Sequence, residues 1–244
     1  MASCATAAAV QNSAVDLDGD ETLQIAEATV MNKLRPSLYG ADYSVYVRIA
    51  RMTLIEKGVD HELVPVDIFA AGGPPQWYRE RHPFGRIPAF EHGALRLYET
   101  AAIARYVDEA FDGPPLQPDD AGGRATMSQT VGLLDAYAYR ALVWDVYVER
   151  VSKPKRGAVA DEARIAAALP VAETCLAELE RLRGDGPWLA GNRLSLADLH
   201  AAPMFSYFLE AEEGRALLAA HAGLGAWWKA VSALPSFVAT RPTG

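Results

Sequence analysis

Residues 82–106, HPFGRIPAFEHGALRLYETAAIARY, constrain this chain more than any other stretch. A turn leads to Ile87-Pro88, where a proline enters a strand. A second short strand runs from Ala94 to Tyr98, and Glu99-Thr100 opens a helix. Proline cannot donate to a strand ladder, so Pro88 in Ile-Pro-Ala-Phe needs a special reason. One such reason is a cis peptide bond, which marks a required geometry. A cis proline beside a helix N-terminus presents main-chain hydrogen-bonding groups and a half-dipole to a peptide-like anion.

The elements around this stretch read as β-α-β-α-β-β-α. Ser37 to Gly40 is a strand end, and a helix starts at Ser44 and stops at Gly58. Glu62 to Ile68 alternates as a strand. Ala70 to Pro75 is a Gly/Pro loop, Gln76 to Arg81 forms a helical turn or two, and the helix after Glu99-Thr100 ends near Phe111. This order fits a small α/β layer. The segment DGPPLQPD at 112–119 is a linker. Helical periods follow over 124–151, 161–183, 196–212 and 224–233, so the second half is all-α. The implied organisation is an α/β domain at 34–112, a linker at 113–120 and a helical domain at 121–244.

Residues 1–33 read as a disordered acidic extension: five of the eight net negative charges fall in the first 30 residues, which hold no Lys or Arg. Asp16, Asp18, Asp20 and Glu27 have part of a calcium-loop spacing, but Glu21 stands where that loop needs glycine, so a solvated tail is the reading taken. Met31 reads as a second candidate start. The first 11 residues lack the basic start and apolar run of a signal peptide. No basic stripe indicates nucleic acid, and no 18-residue apolar run indicates a membrane span. Cys4 and Cys175 make neither a zinc spacing nor a redox pair, and the expected setting is cytoplasmic with inert thiols. The five histidines show no metal spacing, so no metal is expected.

Several residues carry two readings each. Ser44 is an N-cap, or a hydroxyl placed to hydrogen-bond an anion or thiolate at the helix end and lower a bound thiol's pKa. Tyr39, Tyr43 and Tyr46 compete for that second role. Thr100 reads as an N-cap with Glu99 beside it; functionally, Thr100 and its N–H would bind a carboxylate and Glu99 an ammonium, matching the zwitterionic end of an amino acid. Arg86 is a candidate for a substrate carboxylate. Tyr137, Arg140, Trp144 and Tyr147 share one helical stripe, expected as part of a wide buried face or as an aromatic edge on a substrate cleft. Ser195 and Asp198 form a capping box, read as a folding signal.

Taken together, these segments resemble the soluble glutathione S-transferases, most closely serine-type members of the phi/theta kind in a bacterial style. SLYGADYSVYVRIARMTLIEKGV is similar to that family's first strand and helix. The 82–106 stretch is similar to its proline loop and glutathione-binding strand–helix, and PWLAGNRLSLADLHAAP to its capping-box signature. The likeness runs from about Leu34 to Pro242. It implies a thioredoxin-like domain followed by a helical bundle, with glutathione as co-substrate, detoxification as the role and a homodimer as the assembly. It implies that Ser44 holds the glutathione sulfur as thiolate and that Pro88 is cis so that Ile87 pairs with the cysteinyl part. Glu99 and Thr100 would hold the γ-glutamyl end. Tyr137, Trp144 and Tyr147 would then be candidates for touching a small hydrophobic electrophile. The loop AAGGPP at 70–75 lacks the basic residue that often reaches the glycyl carboxylate, and Arg86 is the candidate substitute. Two other classes stay open: glutathione-dependent isomerisation, dehalogenation, ether cleavage or peroxide reduction at the same site, and a non-catalytic interaction module.

Overall fold

The computed structural model describes residues 34–242. The acidic extension, its calcium-like spacing and Cys4 lie outside the described residues. β1 (Ser37–Gly40) pairs in parallel with β2 (Glu62–Pro65), and α1 (Val45–Glu56) is the crossover that parallel pairing requires. Gly40 permits this packing, since a Cβ there would collide with the Val47 side chain of α1. β2 ends at Pro65, short of the expected Ile68. The proline has no N–H to extend the ladder, and it is tolerated because β2 is an edge strand.

A short α2 (Gln76–Arg79) precedes the antiparallel hairpin of β3 (Ala89–His92) and β4 (Leu95–Tyr98). β3 also runs antiparallel to β1, giving the mixed sheet order β2-β1-β3-β4. α3 (Thr100–Ala110) completes the α/β layer.

In the helical half, α4 (Ala121–Leu133) begins at Asp120, whose carboxylate accepts from the Gly123 N–H at 2.8 Å. It runs straight into a π-helical segment, Leu134–Ser152, with a last α-turn at Lys153–Lys155. α5 (Glu162–Arg183) is capped by Asp161 and stops at Gly184. α6 (Leu196–Phe208), α7 (Glu212–Ala219), α8 (Ala222–Val231) and α9 (Pro235–Ala239) follow. The helix expected over 196–212 therefore ends earlier, at Phe208, and α7 is a further helix beyond it. Gly214 lies so close to the Phe208 carbonyl that a Cβ would collide with it, which lets α7 turn back over the end of α6. Among the described residues no helix is long and apolar enough to cross a membrane.

The expected wide buried face of the long helix is also corrected. Leu134, Ala138, Ala141, Leu142 and Val146 are buried, but Tyr137 is 63% and Trp144 38% exposed, and Arg140 is exposed as well. The buried positions recur at three- and four-residue spacing as one stripe, and Tyr137, Arg140 and Trp144 lie beside it.

Two apolar cores result. One joins Leu38, Phe90, Ile103 and Val107 to Val47, Ala50 and Leu54 of α1. The other gathers the helical half around Leu142, Leu176, Phe205 and Trp227, together with Val45, Ile49 and Met52 of the same α1. Cys175 is buried in the second core as a free thiol, and burial pushes its pKa up, consistent with an inert role.

The second core is organised around Asp198. Its buried carboxylate accepts from the Ser195 N–H (2.8 Å), the Ser195 hydroxyl (2.7 Å), the Leu189 N–H (2.7 Å) and Trp227 Nε1 (2.8 Å). The capping box is thus a hub joining the 189 loop, α6 and α8. Asp198→Ala would strand all these donors, each at about 1–3 kcal/mol. We expect a loss of at least about 4 kcal/mol in a denaturant titration, and a smaller loss for Asp198→Asn.

Candidate active site

Ser44 sits at the N-terminus of α1. It is extended (φ −72°, ψ 127°) and its Oγ accepts from the Val47 N–H at 3.4 Å. Both readings of this residue are compatible. A serine hydroxyl has two acceptor lone pairs and one donor. The cap uses an acceptor, and among the described residues the O–H has no partner. Ser44 is half-buried, so its side chain keeps some access to solvent.

Strand register brings the other candidates to the same end of the sheet. Tyr39 pairs with Ala89 and Ala89 with Tyr98, so Gly40, Pro88 and Glu99 follow one another across three adjacent strand ends. The Ile87-Pro88 bond is cis. The ladder of β3 starts at Ala89, and neither the N–H nor the C=O of buried Ile87 has a main-chain partner among the described residues. The preceding carbonyl, of Arg86, accepts from the Tyr78 hydroxyl at 2.6 Å, which anchors the turn.

Glu99, not Thr100, is the N-cap of α3; Thr100 is its first residue. Glu99 is the one non-glycine residue with positive φ among those described (φ 69°, ψ 113°), a sparsely populated conformation that surroundings must hold. This backbone turns the exposed Glu99 side chain away from the cap while Thr100 stays buried. Buried His82 lies between the charges of Glu99 and Arg86. Burial holds its pKa down, Arg86 acts the same way and Glu99 opposes. Arg86 is exposed, and its charge also reaches Tyr46 and Tyr139.

Arg79 escaped the sequence reading. Its guanidinium stands beside Gly73 and Gly85, flanking the loop that lacks a basic residue of its own. It is exposed and has no acidic partner among the described residues.

The three tyrosines separate. The Tyr39 hydroxyl donates to Glu91 Oε2 at 2.5 Å, with Arg81 over its ring, so it is committed to the sheet. Tyr46 packs against Tyr139 (centroids 4.6 Å) and His200 (6.1 Å), and burial pushes its pKa up, with Asp135 acting the same way. Tyr43 is partly exposed and stacks on Phe69 at 6.3 Å.

The aromatic candidates of the helical half also divide. Tyr147 packs on Tyr207 (4.6 Å), and the Tyr207 hydroxyl donates to the Tyr43 carbonyl at 2.5 Å, next to Ser44. Trp144 lies near Tyr139, the ring packed on Tyr46; burial pushes the Tyr139 pKa up and Trp144 acts to hold it down. Tyr137 instead lines a groove with Ala168 and Val171 of α5, which neither Trp144 nor Tyr147 lines. The Tyr207–Tyr43 and Tyr139–Tyr46 contacts span 164 and 93 positions in the sequence, beyond any local signal. Among the described residues no cluster of three or more His, Cys, Asp or Glu could hold a metal ion.

Residues 38–115 match the family model of the glutathione S-transferase N-terminal domain, and residues 137–235 that of the C-terminal domain. Glutathione S-transferase F14 of Arabidopsis thaliana is 32% identical over 190 residues, covering 76% of this chain and 74% of that protein. The chain belongs to the glutathione S-transferase family. Its likeness is phi-class-like. The apo structure of glutathione S-transferase III superposes with a TM-score of 0.75 at 30% identity, covering 84% of this chain and 95% of that one. Glutathione S-transferase I from mais, in complex with an atrazine glutathione conjugate, superposes with a TM-score of 0.74 at 25% identity, covering 84% and 96%. The fold is accordingly that of the family, a thioredoxin-like domain with a four-stranded mixed sheet followed by a helical domain.

Because the Tyr39 phenol is engaged with Glu91, and Arg81 and Arg96 keep Glu91 paired without it, Tyr39→Phe should lower stability by about 1 kcal/mol. Conjugation rates should stay within about twofold of the parent enzyme, since no part of the thiol site is lost. Paired thermal melts and steady-state assays check both.

Proposed function

We propose that this glutathione transferase is serine-type, with Ser44 donating its hydroxyl hydrogen to the glutathione sulfur and holding it as thiolate. The family chemistry is conjugation of glutathione to electrophiles. The observation that supports the serine role is the unspent O–H at the capped N-terminus of α1, on the sheet end that also carries cis Pro88 and Glu99-Thr100. A donor and a helix dipole both favour the charged form of a bound thiol. The thiol proton passes to solvent, the thiolate forms a carbon–sulfur bond, and the leaving group departs with its electron pair.

The unpaired main chain of Ile87, set by cis Pro88, pairs with the cysteinyl unit. Thr100 and the N-terminus of α3 take the γ-glutamyl carboxylate, and Glu99 its ammonium. Arg86, joined by Arg79, takes the glycyl carboxylate. The electrophile lies between the Tyr43–Phe69 pair and the Tyr147–Tyr207 pair, with Trp144 nearby. On this reading residues 34–112 bind glutathione, 113–120 link, and 121–244 bind the second substrate. The enzyme acts in the cytoplasm as a homodimer without a metal. The exposed Phe84 (71%) against Tyr98 supplies an apolar knob for that dimer.

Ser44→Ala should cut the conjugation of an aryl halide at neutral pH by at least about tenfold and raise the pKa of bound thiol by about one unit. An unchanged rate would sink the serine role. Phe84→Asp should shift the particle seen in light scattering from dimer toward monomer, leaving the fold intact by circular dichroism.

A further inference from the structure

One turn after Ser44, on the same face of α1, lies Arg48. It is 0% exposed, and among the described residues none of its three guanidinium nitrogens makes a hydrogen bond of good geometry. Residues four apart on a helix are neighbours, and helical side chains lean toward the N-terminus, so Arg48 lies back toward the Ser44 turn. Its guanidinium carbon stands 5.1 Å from the Phe237 ring of α9 and 5.9 Å from the Tyr207 ring of α6. Tyr207 in turn donates to the carbonyl of Tyr43, the residue before Ser44.

A buried guanidinium without an acceptor is unfavourable, and an apolar side chain would fill this space at lower cost. The charged surroundings do not relieve it. Burial lowers its pKa, Arg241 and Arg51 act in the same direction, and Tyr207 opposes them. Asp42, in the loop before Ser44, raises Arg51. What the guanidinium does have is two aromatic faces, and a desolvated cation over aromatic rings is an attractive, orienting contact.

We propose that Arg48 is a positioning residue for the thiol-binding turn: seated against Tyr207 and Phe237, it holds Tyr207 where its hydroxyl clamps the Tyr43 carbonyl, and so fixes the Ser44 hydroxyl. The inference rests on the Ser44 reading above. It assigns to the helical domain a direct hand in thiol activation, through α6 and α9.

The test is the pH profile of kcat/KM for glutathione conjugation, read beside thermal melts, for Arg48→Met, Arg48→Lys, Tyr207→Phe and Ser44→Ala. Arg48→Met and Tyr207→Phe should each move the rising limb of the profile up by about one pH unit, a loss of roughly tenfold below neutrality that fades at alkaline pH. Arg48→Met should melt no lower than the parent, because an unpaired buried charge has been removed. Arg48→Lys should recover part of the profile, and Arg48→Met with Tyr207→Phe together should lose little more than either alone. A large Ser44→Ala effect with unmoved Arg48→Met and Tyr207→Phe profiles overturns this inference alone. An unchanged Ser44→Ala rate overturns the serine reading and this inference with it. Should Arg48→Met fail to fold, Tyr207→Phe decides the matter by itself.

Discussion

Helix α1 is buried on both faces, and the rest of the structure is arranged by that fact. Val47, Ala50 and Leu54 sit in the sheet core, while Val45, Ile49 and Met52 sit in the helical core. Each such side chain contributes about 1.5–3 kcal/mol on burial, so α1 cannot shift against one half without losing contacts in both. Gly40 tightens the arrangement by letting β1 approach Val47 closely. The N-terminus of α1, and Ser44 with it, is therefore fixed relative to the sheet end and to α6 and α9 at once. On the proposed serine reading, a hydroxyl that must meet a sulfur within a few tenths of an ångström gains from such a mount.

The chain ends of the sheet do the complementary work. Register alone sets Gly40, Pro88 and Glu99 side by side, one step beyond the last β1–β3 and β3–β4 pairs. The N-termini of α1 and α3 follow from that edge, where the main chain of Ile87 is unpaired among the described residues. Both carry partial positive charge, suited to an anionic peptide. The linker holds this geometry from behind. The buried ion pair of Lys57 and Asp108 (3.1 Å) reaches the Pro114 carbonyl and the Leu116 N–H, and Leu116 in turn accepts from the Leu196 N–H at the start of α6.

Much of this was legible in the sequence because the signals were local. A cap needs only a serine at the right offset, and Ser44 and the Ser195–Asp198 box are seen in the structure as caps. A proline inside a strand is self-announcing, and Pro88 is cis. Thr100 was one position off as a cap because the backbone of Glu99 takes a positive φ that no glycine advertises. Helical period cannot separate a buried face from an aromatic edge on a cleft, the two readings open to Tyr137 and Trp144, which stand exposed. The split between α6 and α7 depends on a glycine touching a carbonyl six residues earlier, a contact visible only once the turn exists. Arg79 and Tyr207 reach the site through tertiary folding alone.

Two buried charges show how structure and function part in this molecule. Asp198 is buried and accepts from four donors, so its charge is dispersed into a network that joins three segments. Such a fully satisfied group specifies a fold, and its site lies among core residues. Arg48 is equally buried, yet among the described residues its nitrogens make no well-formed hydrogen bond, and its neighbours include two more arginines. Folding alone gives no reason to keep a guanidinium there. The difference lies in what each touches next: Asp198 leads only to other core groups, whereas Arg48 leads through Tyr207 to the carbonyl beside Ser44. On the proposed serine reading, that is where a costly burial is tolerated, because the buried group bears on the residue that meets the thiol.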